Sequence, residues 1–258
     1  MEQNELVDLI TNRVLERIDA KLNTLSTGGK RADGNEPASL AQYIDHTLLR
    51  PDATDAEFDQ LCKEALQYRF KSVCVNSQRV AYVARRLRNS GVDVCAVVGF
   101  PLGQMDSRCK AYEAKCCIRE GAAELDMVIN VGLLKSGRLR EVEEDIGAVR
   151  RAARPSTVLK VIIETELLTD EEKVLACQLS QKAGADFVKT CTGFLGGGAA
   201  AKDLKLMRKT VGPSMGVKAS GGIRSAKEAR LMLKAGANRI GAGAGVAIVT
   251  GEKGSGSY

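Results

Sequence analysis

Two segments carry the side chains best suited to chemistry. Asp186 to Phe194 reads DFVKTCTGF, and Gly216 to Arg224 reads GVKASGGIR. Each sets one lysine, Lys189 or Lys218, inside a short apolar strand pattern that runs into a glycine turn. Burying an ammonium strips it of water at considerable cost, so a lysine in that setting has a partner or a task. Two such lysines close together disfavour each other's protonation, and the neutral amine is the form that attacks a carbonyl. The pair points to Schiff-base chemistry, although spacing alone does not say which lysine is the nucleophile. A third ionisable group, Asp126, stands in ELDMVIN between Leu125 and Met127. Aspartate is a poor strand former, and burying a polar group unpaired costs on the order of 2–7 kcal/mol. Asp126 is expected to pair with a lysine, either as a structural ion pair or as a proton-transfer group. Three ionisable groups converging from neighbouring strands favour the second.

These residues need a scaffold, and the chain supplies an alternation of strand and helix. Strands are predicted at Tyr43–His46, Ser72–Asn76, Val92–Gly99, Glu124–Asn130, Val158–Glu164, Phe187–Thr190, Gly216–Ser220 and Arg239–Gly243. Helical patterns fall near residues 55–68, 77–90, 106–120, 138–153, 169–183, 200–211 and 225–235. Several helices end in a glycine that fits a left-handed cap, as at Gly91, Gly121, Gly184 and Gly236. The strand runs are largely apolar, the mark of parallel strands covered by helices. About eight units in roughly 215 residues fit a (β/α)8 TIM barrel. The rival, a doubly wound sheet, calls for a glycine-rich loop after the first strand, where this chain has Asp45-His46-Thr47-Leu48. Barrel chemistry gathers at the C-terminal strand ends. Read in order, these offer Asp45, Asn76, Asp126, Asn130, Glu164, Lys189, Thr192 and Lys218. Gly221-Gly222 and the run from Gly241 to Gly245 follow the last two strands, where barrels commonly hold phosphate.

Composition narrows the chemistry. The chain has 258 residues and one histidine, His46, so a histidine-rich metal site is out of reach. Its eight cysteines include no Cys-x-x-Cys and lie mostly in apolar patterns, which reads as reduced small hydrophobes rather than disulfides or structural zinc. No cofactor and no metal are expected. The excess of 38 basic over 32 acidic residues is mild and scattered, which suits small anions better than nucleic acid. No run approaches a membrane span and no secretory signal opens the chain, so a cytoplasmic protein is expected.

Residues 1–22 form a separate pattern. Val7, Ile10, Val14 and Ile18 recur at helical spacing with Asp8, Asn12, Glu16 and Asp19 opposite, an amphipathic helix. Residues 23–38 include STGGKRADGNEP, a flexible linker in composition, and residues 39–258 hold the barrel. The helix is read as a packing or oligomerisation element or as a targeting segment. It resembles the encapsulation peptides of bacterial microcompartment cargo, which implies a shell protein as partner.

The barrel motifs also carry a resemblance. DHTLL at Asp45, SVCVN, VVGFPLG, ELDMVIN, KVIIET, FVKTCTGF, VKASGGIR and RIGAGAG occur in the order of the deoxyribose-phosphate aldolases over about residues 40–250. The resemblance implies a metal-independent class I aldolase that reversibly cleaves 2-deoxy-D-ribose 5-phosphate to D-glyceraldehyde 3-phosphate and acetaldehyde, in a homo-oligomer. It implies Lys189 as Schiff-base nucleophile, Lys218 as the second lysine that favours its neutral form, and Asp126 as acid/base. Asp45 and Thr192 correspond to supporting substrate positions, and Gly193, Gly221, Gly222, Gly243 and Ala244 to the substrate and phosphate loops. Two departures stand out. Cys191 replaces a frequent serine, and Gly243-Ala244 replaces a loop that often carries serines, which implies altered phosphate affinity. Another Schiff-base lyase on a barrel, or a non-catalytic scaffold, remains open.

Overall fold

The computed structural model describes residues 40–252 and residue 254. The amphipathic segment 1–22 and the linker expected over 23–38 lie outside the described residues. Eight parallel strands close into a barrel in sequential order: β1 Ile44–Leu48, β2 Ser72–Val75, β3 Asp93–Val98, β4 Glu124–Val128, β5 Val158–Ile162, β6 Phe187–Lys189, β7 Gly216–Ser220 and β8 Arg239–Ala242. Closure is made by β1 and β8, where Asp45 pairs in register with Gly241. The principal crossover helices are α1 Asp55–Tyr68, α2 Val80–Arg86, α3 Ser107–Arg119, α5 Leu139–Ala152, α6 Asp170–Lys182, α7 Ala201–Val211 and α8 Ala226–Lys234. Two short helices join them: α4 Val131–Lys135 after β4 and α9 Gly245–Thr250 after β8. No helix among the described residues is long and apolar enough to cross a membrane.

Local sequence explains the helix boundaries. Thr54 with Glu57, and Thr169 with Glu172, form reciprocal capping boxes that satisfy the free N–H groups at the starts of α1 and α6. Gly184 and Gly236, at φ +82° and +114°, turn the chain from α6 and α8 into the next strands, a geometry an L side chain resists. The helix expected over 77–90 is a 3-10 turn at Ser77–Arg79 followed by α2, and it stops at Arg86.

Strand alternation sorts the residues into two sets. One face of each strand points to the helices and builds the aliphatic core, for example Val73 and Val75, Leu125 and Met127, Leu159 and Val161, and Val217 and Ala219. The other face fills the barrel. There, where barrels usually stack branched aliphatics, this chain places Asp45, Cys74, Cys95, Glu124, Asp126, Lys160, Lys189, Lys218 and Arg239, all buried. The largely apolar strand runs of the sequence thus conceal a charged interior.

Candidate active site

The interior charges form one connected network. Asp126 is its hub. Oδ2 accepts from Lys189 Nζ at 2.8 Å and from Lys218 Nζ at 2.7 Å, while Oδ1 accepts from Lys160 Nζ at 2.8 Å. The register explains the convergence: Asp126 pairs with Lys160 across β4 and β5, and Lys189 with Lys218 across β6 and β7. Lys218 also pairs with Asp45. Lys160 reaches Glu124 Oε2 at 2.6 Å and Asp45 Oδ2 at 3.7 Å. Arg239 closes the floor, donating to Asp45 Oδ1 at 2.8 Å and to Glu124 Oε2 at 2.9 Å. Its guanidinium lies over the Phe187 ring, 5.4 Å from the centroid. Gly216 makes room for that ring, because a Cβ there would fall 2.2 Å from it.

Burial alone would push Asp126 toward its neutral form, but the ammonium groups of Lys160, Lys189 and Lys218 outweigh it and hold the carboxyl well below the usual range. Asp45 is likewise depressed, with Lys218, Lys160 and Arg239 outweighing burial. Burial works against the ammonium of Lys218, yet Asp126 and Asp45 push its pKa above that of an ordinary lysine. Lys160 behaves the same way, with Asp126 leading the carboxylates that overcome its desolvation. In this arrangement the acids are lysines and Asp126 is a carboxylate.

Four cations (Lys160, Lys189, Lys218, Arg239) share three carboxylates (Asp45, Glu124, Asp126). Lys160 contacts all three, Lys218 two, and Lys189 only Asp126. Lys189 is thus the lysine of the three with the fewest ion pairs. Lys189 is also the outermost of the three lysines, at 2% exposure against 0% for the others. The arrangement can therefore present one amine to a carbonyl compound entering from the loop side, with an ammonium and a carboxylate within reach for proton transfer.

Around this centre stand the other residues expected from sequence. Thr192 is buried, its N–H directed at both Glu164 oxygens at 3.2 Å, while its Oγ1 accepts from the Phe194 N–H. Gly193, Gly221 and Gly222 have φ of +81°, +99° and +73° in the loops after β6 and β7. Gly243 and Ala244 lead from β8 into α9, and Ala244 caps that helix with no side-chain hydrogen bond. Asp45 lies inside the barrel on Lys218 and Arg239, deeper than a residue at the strand's C-terminal end would be. Phe100 and Phe194, from the loops after β3 and β6, meet edge to face at 5.2 Å. From outside, Lys110 donates to the Val128 carbonyl at 2.9 Å and pairs with Asp145 at 2.6 Å, fixing the end of the strand that bears Asp126.

Lys160, Glu124 and Arg239 join the network beyond the residues expected from sequence. Lys160 carried the signal that found its neighbours, a lone lysine within the apolar run VLKVII. Glu164 is a further participant. It is buried, at the C-terminal end of β5, with the left-handed φ of +58°. Such a backbone costs a non-glycine residue about 1–3 kcal/mol and persists only where its surroundings hold it. Burial raises the Glu164 pKa against the Thr192 hydrogen bonds. Glu164→Ala is expected to lower the turnover of carbon–carbon cleavage about 10–100-fold by freeing the Thr192 loop. Glu164→Gln, whose amide oxygen can still accept from the same N–H, is expected to recover most of it. Steady-state kinetics alongside melting curves separate this from a loss of stability.

The sequence profile of the DeoC/LacD family aldolases matches residues 39–251. The chain belongs to this aldolase family. A relative from Streptococcus gordonii, named deoxyribose-phosphate aldolase, is 59% identical over 219 residues, spanning 85% of this chain and 99% of that protein. One of the same name from Halalkalibacterium halodurans is 57% identical over 221 residues, with 85% and 99% covered. A solved structure from Coccidioides immitis superposes with a TM-score of 0.81 at 41% identity, covering 91% of this chain and 96% of that one. The tetrameric deoxyribose phosphate aldolase from Aeropyrum pernix gives 0.77 at 36% identity, covering 82% and 89%. The aldolase barrel expected from sequence is thus the fold observed, and the chain is a lyase.

Proposed function

We propose that this aldolase cleaves 2-deoxy-D-ribose 5-phosphate reversibly to acetaldehyde and D-glyceraldehyde 3-phosphate through a Schiff base on Lys189. The observation that carries the reading is the sharing of Asp126 Oδ2 by Lys189 and Lys218 inside the barrel. The neutral Lys189 amine adds to the substrate C1 aldehyde, and loss of water from the carbinolamine gives an iminium. A base removes the C3 hydroxyl proton, the C2–C3 electron pair moves into the iminium, and C3 leaves as the aldehyde of glyceraldehyde 3-phosphate. The two-carbon enamine is protonated at C2 and hydrolysed to acetaldehyde, regenerating the amine. Lys218 supplies protons. Asp126 becomes a better proton acceptor as the cycle begins, because each step that takes positive charge off Lys189 removes one of the three ammonium groups that hold it anionic. Asp45, Glu124 and Arg239 keep Lys218 and Lys160 in place. Thr192 and Gly193 border the substrate, and the loops at Gly221-Gly222 and Gly243-Ala244 offer backbone N–H groups to its phosphate.

The test is acetaldehyde release from 2-deoxy-D-ribose 5-phosphate in the presence of a chelator, beside unphosphorylated deoxyribose. Acetaldehyde release from the phosphorylated sugar with the lower KM supports the reading. Absence of acetaldehyde from either sugar contradicts it. Because the last loop offers no hydroxyl, Ala244→Ser is expected to lower KM for the phosphorylated sugar about tenfold, the worth of one hydrogen bond to a charged group, and to leave the unphosphorylated sugar unaffected.

A cytoplasmic homo-oligomer is the setting we propose, with residues 1–22 docking the enzyme to a microcompartment shell protein. Their apolar stripe and the glycine-rich linker behind it support this, as does the value of confining a volatile, reactive aldehyde. Deleting residues 1–25 is expected to abolish encapsulation and to leave catalysis intact. Equal encapsulation of both forms would contradict it.

A further inference from the structure

Two cysteines face the same carboxylate that serves the lysines. Cys74 and Cys95 are register partners on β2 and β3, and both project into the barrel. Cys95 Sγ lies 3.1 Å from Asp126 Oδ1. The two sulfurs and one Asp126 oxygen all fall within 4.8 Å of one another. Among the described residues, this is the group of histidine, cysteine and carboxylate side chains whose ligand atoms converge in this way. A tetrahedral zinc ion with bonds of about 2.3 Å to sulfur and 2.0–2.2 Å to oxygen needs donors about 3.5–3.8 Å apart, so small side-chain adjustments suffice.

We propose that Cys74, Cys95 and Asp126 form a binding site for a soft divalent cation, zinc or cadmium, and that occupancy inhibits the aldolase. Loading replaces the two thiol protons by the metal. Two S–H bonds break, two metal–sulfur bonds and one metal–oxygen bond form, and two protons leave to solvent. No group is oxidised or reduced. The charge inside the barrel is unchanged by the exchange, so the surrounding lysines do not forbid it. Lys160 Nζ stands 3.3 Å from Cys95 Sγ and 2.8 Å from Asp126 Oδ1, so it must yield. It has somewhere to go, since Glu124 already holds it at 2.6 Å. Thiolate donors favour soft metals over magnesium or calcium. With Oδ1 bound to a metal, Asp126 no longer accepts protons. Binding stands on the geometry alone, whereas inhibition rests on the proton-transfer role proposed for Asp126.

The experiment titrates cadmium into the full-length chain carrying Cys109→Ser and Cys116→Ser, which removes an exposed and a half-buried thiol on α3. A thiolate-to-cadmium charge-transfer band saturating at one equivalent is expected, and turnover should fall in step by about a hundredfold, the share of general acid–base catalysis. A chelator should restore both. Cys74→Ala and Cys95→Ala are each expected to abolish the band. Zinc-loaded chain without these replacements should show two sulfur ligands at about 2.3 Å by X-ray absorption, a reading that does not depend on how the variants fold. No band, a band that survives either alanine replacement, or a single sulfur ligand overturns the site. A saturated band with unchanged turnover overturns the inhibition. Cleavage by the metal-free enzyme, measured in the same series, tests the aldolase reading separately.

Discussion

Lys189→Met is expected to fold as well as the parent chain and to lose aldolase activity by about 10⁴-fold or more, the scale on which removing a covalent nucleophile acts. No second amine can take over without moving. Lys218 is held by Asp45 and Asp126, and Lys160 by those two and Glu124, both deeper in the barrel. Stability has a different logic. Removing one member of a buried ion pair is damaging when it strands the other's charge. Here it does not, because Asp126 keeps Lys160 and Lys218, and four cations against three carboxylates become three against three. Methionine preserves most of the volume. The melting temperature is therefore expected to stay level or rise while acetaldehyde release vanishes. A stable variant retaining a tenth of the activity would remove Lys189 from the chemistry.

Asp126→Asn is expected to fail on both counts. Three ammonium groups lose the carboxylate they share. Breaking a buried pair of this kind costs about 3–5 kcal/mol, and the loss of a positioned acid–base group costs about 10²–10⁴ in rate. The pH dependence has a definite sign. The folded-state pKa of Asp126 is depressed. Its stabilisation is complete above the unfolded carboxylate value, about 3.9, and is lost as pH falls from there through the folded value. Denaturation curves of the two proteins should thus lie furthest apart near neutrality and converge progressively below about pH 4. Lys160 and Lys218 have raised values, so their contribution is complete below the ordinary lysine range and is lost only as pH climbs through their folded values. A constant gap between the two proteins across the acid range would show that folding does not lower the Asp126 pKa.

Much of this site could be read from sequence for one physical reason: a lone charge inside an apolar strand is conspicuous. Lys189, Lys218 and Asp126 were found by that rule, and they meet as expected. Lys160, within VLKVII, obeys the same rule. Glu124 and Arg239 carry no such mark. Each opens its strand beside a helix-to-strand turn, where polar residues ordinarily meet water. Only closure of the barrel brings Arg239 onto Asp45, 194 positions away, and onto Glu124, 115 positions away. Glu164 was legible as a polar residue at a strand end, but its left-handed backbone and its grip on Thr192 depend on the neighbouring strand. The principal helices were legible from periodicity and caps. The five residues of α4 are too few to show a period, and the early end of α2 had no breaker in the sequence to announce it.

Lys189 should form an imine with the two-carbon product, and reductive trapping captures that imine. The full-length chain is incubated with acetaldehyde and borohydride, digested, and its peptides mapped by mass. One ethyl group per chain is expected, on Lys189, in the peptide containing DFVKTCTGF. Modification at Lys160 or Lys218 instead, or an unmodified chain after inactivation has been sought, would contradict it.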